Sequence, residues 1–244
     1  MSPLTEARRP ALVLYTPRPA QAEFRQATLG MLPKVAQPCF ARPIAFLSAD
    51  LDAIEDVYPR AASIMFWRLS KSLAANEQTK RVRYVMYMEP DVVPIRPLWV
   101  ELLLALLPPQ ADEFWAKGSA PRANIARMAP GPQGVFRRHI NGNALYNVQD
   151  QMFANLVQRS RQAYEASLVY DVGLGLAFAN DSQRYSHRYV YSDFIINFGG
   201  QPIGIVEARR RFRCAVLLHG NMSKRYLIGL GKAKGLGAGP GVTR

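Results

Sequence analysis

The N-terminal part of this chain repeats one pattern: a short, wholly apolar run, a stretch with helical spacing, then another apolar run. Ala11-Leu-Val-Leu-Tyr15, Pro43-Ile-Ala-Phe-Leu47 and Tyr84-Val-Met-Tyr-Met88 each read as a buried strand. Each passes into polar or turn-forming residues: Thr16-Pro17, Ser48-Ala-Asp50 and Glu89-Pro-Asp91. Gln21 to Leu32 reads as a helix stopped by Pro33. From Ala61 to Asn76, Ile64, Met65, Leu69 and Leu73 recur at helical spacing. A further helix begins near Leu98 and ends by Pro108. Strand and helix in alternation specify an α/β fold of the doubly wound kind. Ligands of such sheets bind outside the carboxyl ends of the strands.

The remainder is less regular. Phe114-Trp-Ala-Lys-Gly118 suits a strand, and Ser119 to Gln133, with Pro, Gly and Arg, reads as a long mobile loop. His139-Ile-Asn-Gly-Asn-Ala-Leu-Tyr146 turns and enters a strand. Asp150 to Tyr164 is helical in pattern, with Phe153, Leu156 and Val157 on one side. Arg213-Cys-Ala-Val-Leu-Leu218 is a last strand, ending in His219-Gly220. Residues 229–244, rich in Gly and Lys, carry no apolar periodicity and are expected to be disordered.

Composition narrows the functional classes. Hydrophobic residues make up 49% of the 244, enough for a packed core. The net charge is +13, a surface suited to phosphate-bearing ligands, polyanions or anionic membrane. The densest basic run is Arg209-Arg-Arg-Phe-Arg213. The charge leaves a basic nucleic-acid-binding domain as an alternative to an enzyme, against which no helix-turn-helix, zinc finger or aromatic-basic RNA-recognition pattern is present in the sequence. Two cysteines, Cys39 and Cys214, form no disulfide framework and read as buried thiols. The N-terminus has no apolar signal core, and the run Leu98 to Leu107 is too short to span a bilayer. The expectation is a cytoplasmic protein or a soluble fragment.

Four constellations carry chemistry. In Glu89-Pro-Asp91 two carboxylates follow a buried strand directly, where the sheet opens to solvent. Hard divalent cations take such oxygen ligands and share them with phosphates. By itself the tripeptide equally suits a solvated strand end. His219-Gly-Asn221 also follows an apolar strand, and offers an imidazole ligand beside a glycine that lets phosphate approach. Lys224 and Arg225, just behind, suit diphosphate oxygens. His139-Ile-Asn141-Gly-Asn143 offers amides for sugar hydroxyls, or a simple turn. Asp171 and Asp193 each suit a base for an acceptor hydroxyl, or a helix cap.

In this order, Tyr84 to Trp99, Phe114 to Ser119, His139 to Tyr146, Tyr191 to Phe194 and His219-Gly220 resemble the small GT-A glycosyltransferases of algae and of the large viruses that infect them. The resemblance runs from about Leu12 to Arg225. It implies a central mixed, Rossmann-type sheet flanked by helices, with a smaller acceptor-side sheet. Residues 11–228 would form a single catalytic domain, with 11–110 the nucleotide-binding half and 111–228 the acceptor half. Glu89-Pro-Asp91 would be the acid-x-acid motif, with Asp91 on Mn²⁺ or Mg²⁺. Glu89 would bind the ion too, or reach the donor ribose through water. His219 would be a late metal ligand. Thr16 and Pro17 would meet the nucleotide, Asp50 the base or ribose, and the Ser119 to Gln133 loop would close over the donor. His139, Asn141 and Asn143 would line the acceptor side, and Asp171 would serve as base. The reaction implied is sugar transfer from a nucleotide sugar, UDP favoured, to a hydroxyl of a glycan or glycoprotein. One departure stands out: the usual first acid is Asp, and here it is Glu89. A metal-dependent nucleotidyltransferase is a further alternative, against which Ala11 to Pro17 contains no phosphate-cradling glycine.

Overall fold

The computed structural model describes residues 9–31, 39–57, 60–108, 114–121, 139–197 and 203–220. The chain is α/β, with mixed sheets flanked by helices. It divides into two compact units, each drawn from separate stretches of sequence. The first takes the chain as far as Val85, then Leu107–Trp115 and Tyr146–Tyr189; the second takes Met86–Leu106, Ala116–Leu145 and the chain from Val190.

In the first unit, β1 (Ala11–Thr16) pairs in parallel with β2 (Ala41–Ser48), with Tyr15 opposite Leu47 and Thr16 opposite Ser48. Helix α1 (Ala22–Met31) joins them, as parallel pairing requires a crossover. Helix α2 (Arg60–Ala74) buries Ile64, Phe66, Trp67, Leu69 and Leu73, the spacing of one helical face. Ile64 packs with Ala49 and Leu51 at the end of β2. Phe66 stacks on Tyr170 at 4.1 Å between ring centroids and meets Tyr146 edge-on at 5.0 Å.

Later in the sequence, β3 is Tyr84–Met86, β4 Val92–Pro94, α3 Trp99–Leu104, β5 Ala116–Gly118, β6 Leu145–Asn147 and α4 Gln151–Tyr164. After them come α5 (Tyr170–Tyr185), β7 (Tyr189–Tyr191), β8 (Ile195–Asn197), α6 (Ile205–Arg211) and β9 (Leu217–His219). Asp150 caps α4, accepting from the backbone N–H of Met152 at 2.8 Å and Phe153 at 3.0 Å. The Tyr170 N–H donates to the buried Ser63 hydroxyl at 3.1 Å, tying α5 to α2.

Among the described residues the third apolar run does not extend the β1-β2 sheet. It joins a four-stranded sheet ordered β3-β6-β5-β7. Strand partners are chosen by long-range packing, which the alternation of elements leaves open. A third, mixed sheet lies within the second unit, ordered β4-β9-β8, with β4 antiparallel and β8 parallel to β9. Ile196 and Leu218 point to one face of it, into a core with Ile95, Ile203, Ala208 and Ala215. Helix α6 covers that core. Arg209 donates to the Ile95 carbonyl, and Arg96 donates to the carbonyls of Ala215 at 2.7 Å and Arg213 at 2.5 Å. Arg210 pairs with Glu207 at 2.9 Å, and Arg211 lies over the Phe212 ring. Much of the densest basic run is thus engaged within its own unit.

The expected last strand, Arg213 to Leu218, shortens to Leu217–His219, and Cys214 is exposed, contrary to the buried thiol expected; Cys39 is half-buried. No helix among the described residues is long and apolar enough to cross a membrane. Most of the expected Ser119 to Gln133 loop (from residue 122) and the whole 229–244 tail lie outside the described residues.

Candidate metal centre

The site is built in the second unit, where β4 begins beside the ends of β8 and β9. The register of the mixed sheet sets His219 opposite Val92 on one side and Asn197 on the other. Alternation then fixes direction: with Ile196 and Leu218 in the core below, Asn197 and His219 point to the other face, side by side.

The two acids arrive through a tight turn. Val92 N–H donates to the Glu89 carbonyl at 3.1 Å, so Glu89-Pro90-Asp91-Val92 is a hydrogen-bonded β-turn. Pro90 occupies the position where its fixed φ is favoured. Asp91 is not among the positive-φ residues, which makes the turn type I. Its first and third residues are the two acids. A Glu89 carboxylate oxygen lies 2.9 Å from His219 Nε2, and an Asp91 oxygen 3.2 Å from the same nitrogen. One ligand atom from each residue falls within 4.8 Å of the others. Asp91 and His219 are largely buried, with side chains 11% and 18% exposed, whereas Glu89 at 38% faces solvent. The centre is therefore held from below and open on one side.

Buried amides hold these groups. Asn143, wholly buried, accepts from the Glu89 N–H through Oδ1 at 2.7 Å and donates through Nδ2 to the Glu89 carboxylate at 3.2 Å. Its Nδ2 also donates to Asn141 Oδ1 at 3.1 Å. Asn197, equally buried, lies with Oδ1 3.1 Å from His219 Nδ1, while its Nδ2 donates to Ser119 Oγ at 2.9 Å and to the Ser119 carbonyl at 3.3 Å. Gly220, directly after the imidazole, has φ 139°, a conformation glycine adopts freely.

Of the residues singled out from sequence, Glu89, Asp91 and His219 are brought together, with Asn143 against Glu89 and Asn141 bonded to Asn143. Asn143 is engaged with Glu89 and Asn141, so its amide supports the acid and does not line a sugar site, as had been expected. His139 is buried at 6% exposure. Asp193 is exposed and precedes the N-terminal end of β8, whereas Asn197 and the triad lie at its C-terminal end.

Thr16, Pro17, Asp50 and Asp171 belong to the first unit. The Thr16 hydroxyl donates to the Arg18 carbonyl at 2.6 Å, and Pro17 accepts from Leu51 N–H at 2.8 Å. Asp50 is exposed, just beyond the carboxyl end of β2, with φ 51° and its N–H bonded to Ser48 Oγ at 3.0 Å. Asp171 is buried in the first turn of α5, its carboxylate accepting from Val172 N–H at 2.9 Å. Lys224 and Arg225 lie outside the described residues.

Asn197 and Ser119 were not read as functional from sequence. The available signal was a shared pattern: Ile195-Ile-Asn197 and Leu217-Leu-His219 are both apolar pairs ending in a polar residue.

No protein-family model matches the chain, and no curated protein matches it in sequence. Among solved structures, a glycosyltransferase involved in the glycosylation of the major capsid of PBCV-1 is similar at a TM-score of 0.48 and 12% identity, over 91% of this chain and all (100%) of that one. At that distance the functional case rests on the geometry of the site.

Proposed function

We propose that this chain is a metal-dependent glycosyltransferase whose Glu89, Asp91 and His219 hold Mn²⁺ or Mg²⁺. The observation that carries the reading is the convergence of two carboxylate oxygens and one imidazole nitrogen within 4.8 Å, on an open strand end. The donor set fits the ion: hard carboxylates suit Mn²⁺ and Mg²⁺, and three protein ligands leave positions for phosphate oxygens and water. When bound, the ion would offset the negative charge that develops on a departing nucleoside diphosphate.

The chain's own groups do the rest. The type I turn at Pro90 presents Glu89 and Asp91 together, and Asn143 keeps Glu89 aimed at the site. The sugar-transfer reading also draws on the ordered set of motifs from Tyr84 to Gly220 that resembles GT-A enzymes. On it, a UDP-sugar is the favoured donor and a glycan or glycoprotein hydroxyl the acceptor. Thr16, Pro17 and Asp50 are assigned to the nucleotide, Lys224 and Arg225 to the diphosphate, and His139 and Asn141 to the acceptor side. Asp171 is assigned as base.

Thermal unfolding with a panel of nucleotide sugars, with and without Mn²⁺, tests the reading. A ligand at 100 times its Kd adds about 2.7 kcal/mol of stability. The expected result is a rise in Tm that needs both a nucleotide sugar and the metal, with nucleoside diphosphate as product. Release of pyrophosphate would instead identify a nucleotidyltransferase. Stabilisation by random-sequence RNA or DNA alone would point to nucleic-acid binding.

A further inference from the structure

We propose that Asn197 is a positioning residue for the divalent cation, acting through His219; the inference rests on the metal-centre reading above. A histidine binds a cation only through a nitrogen that carries no proton, so the site requires a ring protonated on Nδ1 and bare on Nε2. Asn197 imposes that arrangement. Its amide orientation is set by the Ser119 carbonyl, which can only accept and therefore faces Nδ2 at 3.3 Å. Oδ1 is then the atom facing His219 Nδ1 at 3.1 Å, and it can only accept. With a cation on Nε2, which lies 2.9 Å from Glu89 and 3.2 Å from Asp91, the ring proton sits on Nδ1 and is donated to Asn197.

The arrangement is rigid. Asn197 is 2% exposed and Ser119 2% exposed, so water does not offer the ring an alternative partner on that side. Parallel pairing of β8 with β9 holds Asn197 and His219 in register. A partner on the second ring nitrogen orients a ligating histidine, and its loss typically lowers metal affinity about 10- to 100-fold.

The experiment compares wild type, Asn197→Leu and Asn197→Asp. Leu is close in size and cannot accept the ring proton; Asp retains an accepting oxygen. Mn²⁺ binding is measured by calorimetry, and folding by thermal unfolding without metal. N197L is expected to bind Mn²⁺ about 10- to 100-fold more weakly than wild type, and N197D, which keeps the accepting oxygen but sets its other oxygen against the Ser119 carbonyl, more tightly than N197L. Long-range ¹H–¹⁵N spectra of the Mg²⁺-bound protein should place the His219 proton on Nδ1 in wild type. A wild-type ring that keeps its proton on Nε2 with Mg²⁺ bound, or N197L binding Mn²⁺ as wild type does, overturns the role of Asn197. If N197L does not fold, the wild-type spectrum decides. Wild type that binds no Mn²⁺ overturns the metal centre itself.

Discussion

The backbone N–H of Glu89 and the side-chain oxygen of Asn143 meet at 2.7 Å, and the same amide returns a hydrogen bond to the Glu89 carboxylate at 3.2 Å. One buried side chain thus fixes both the backbone and the acid of the residue that opens the turn into β4. Asn143→Ala leaves the Glu89 N–H without this partner, an expected cost of about 1–3 kcal/mol. It also frees the carboxylate to wander, so Mn²⁺ affinity should fall as well. Urea unfolding with and without Mn²⁺ separates the two effects, and a variant as stable as wild type in both conditions would refute the clamp.

Asp91→Asn should remove most Mn²⁺ binding while leaving the metal-free fold intact. Asp91 and Glu89 both face one imidazole nitrogen, at 3.2 and 2.9 Å, so removing one charge relieves repulsion between neighbouring acids as it removes a ligand. Calorimetric titration with Mn²⁺ checks the first part and metal-free Tm the second. Undiminished affinity would exclude Asp91 as a ligand.

Gly118 sits where a Cβ would lie 2.7 Å from Ile140 Cγ2 and 2.8 Å from Ala144 Cβ. These contacts join β5 to the segment that carries Asn141 and Asn143. Gly118→Ala should therefore destabilise the fold by about 1–3 kcal/mol through overpacking. It should also weaken Mn²⁺ binding by shifting the Asn143 segment. A chemical denaturation midpoint equal to wild type would show that the site yields without cost.

Tyr15 gives the chain a pH response on the alkaline side. Burial holds its phenol above the ordinary value of 10.0, opposed by the hydrogen bond with Ser72; the hydroxyl also donates to the Met65 carbonyl at 3.0 Å. The unfolded chain loses this proton first as pH rises, so the stability contributed is full below pH about 10 and is lost as pH climbs through the raised native value. Tyr15→Phe should flatten that decline and cost about 1 kcal/mol at neutral pH. Denaturation midpoints between pH 8 and 11 compare the two, and parallel slopes would rule out Tyr15 as the group responsible.

Helices α1, α2 and α4 were legible, whereas α5 (Tyr170–Tyr185) and α6 (Ile205–Arg211) were not read from the sequence. Ile64, Leu69 and Leu73 marked α2 within a residue or two of its ends, because one face of a helix repeats every few positions and is written locally. Asp150 to Tyr164 was legible as helical for the same reason; that Asp150 caps α4 is seen in the structure. The short strands were less so: Arg213 to Leu218 was expected where only Leu217–His219 forms. An apolar run shows that a segment is buried, not where its hydrogen-bonding partner begins.

The site divides in the same way. Glu89, Pro90 and Asp91 lie within one turn, and both acids were evident as a unit from their spacing. His219 was evident as a strand-end imidazole. For Asn143 the residues left a sugar ligand or a simple turn open, and only the family resemblance implied the acceptor side, because an amide after a turn looks the same whether it faces solvent or an acid. Only its complete burial reveals the second role. Asn197 ends the same apolar-apolar-polar pattern as His219, but that likeness carries meaning only once β8 and β9 are known to pair.

The order of residues alone determined the buried runs, the helical faces and the acid pair, because each depends on neighbours a few positions apart. The tertiary structure alone decided that β9 lies between β4 and β8, and so that His219 meets Glu89, Asp91 and Asn197. That choice depends on the packing of Ile95, Ile196 and Leu218 into one core from distant parts of the chain, and no local periodicity encodes which distant strands will share it.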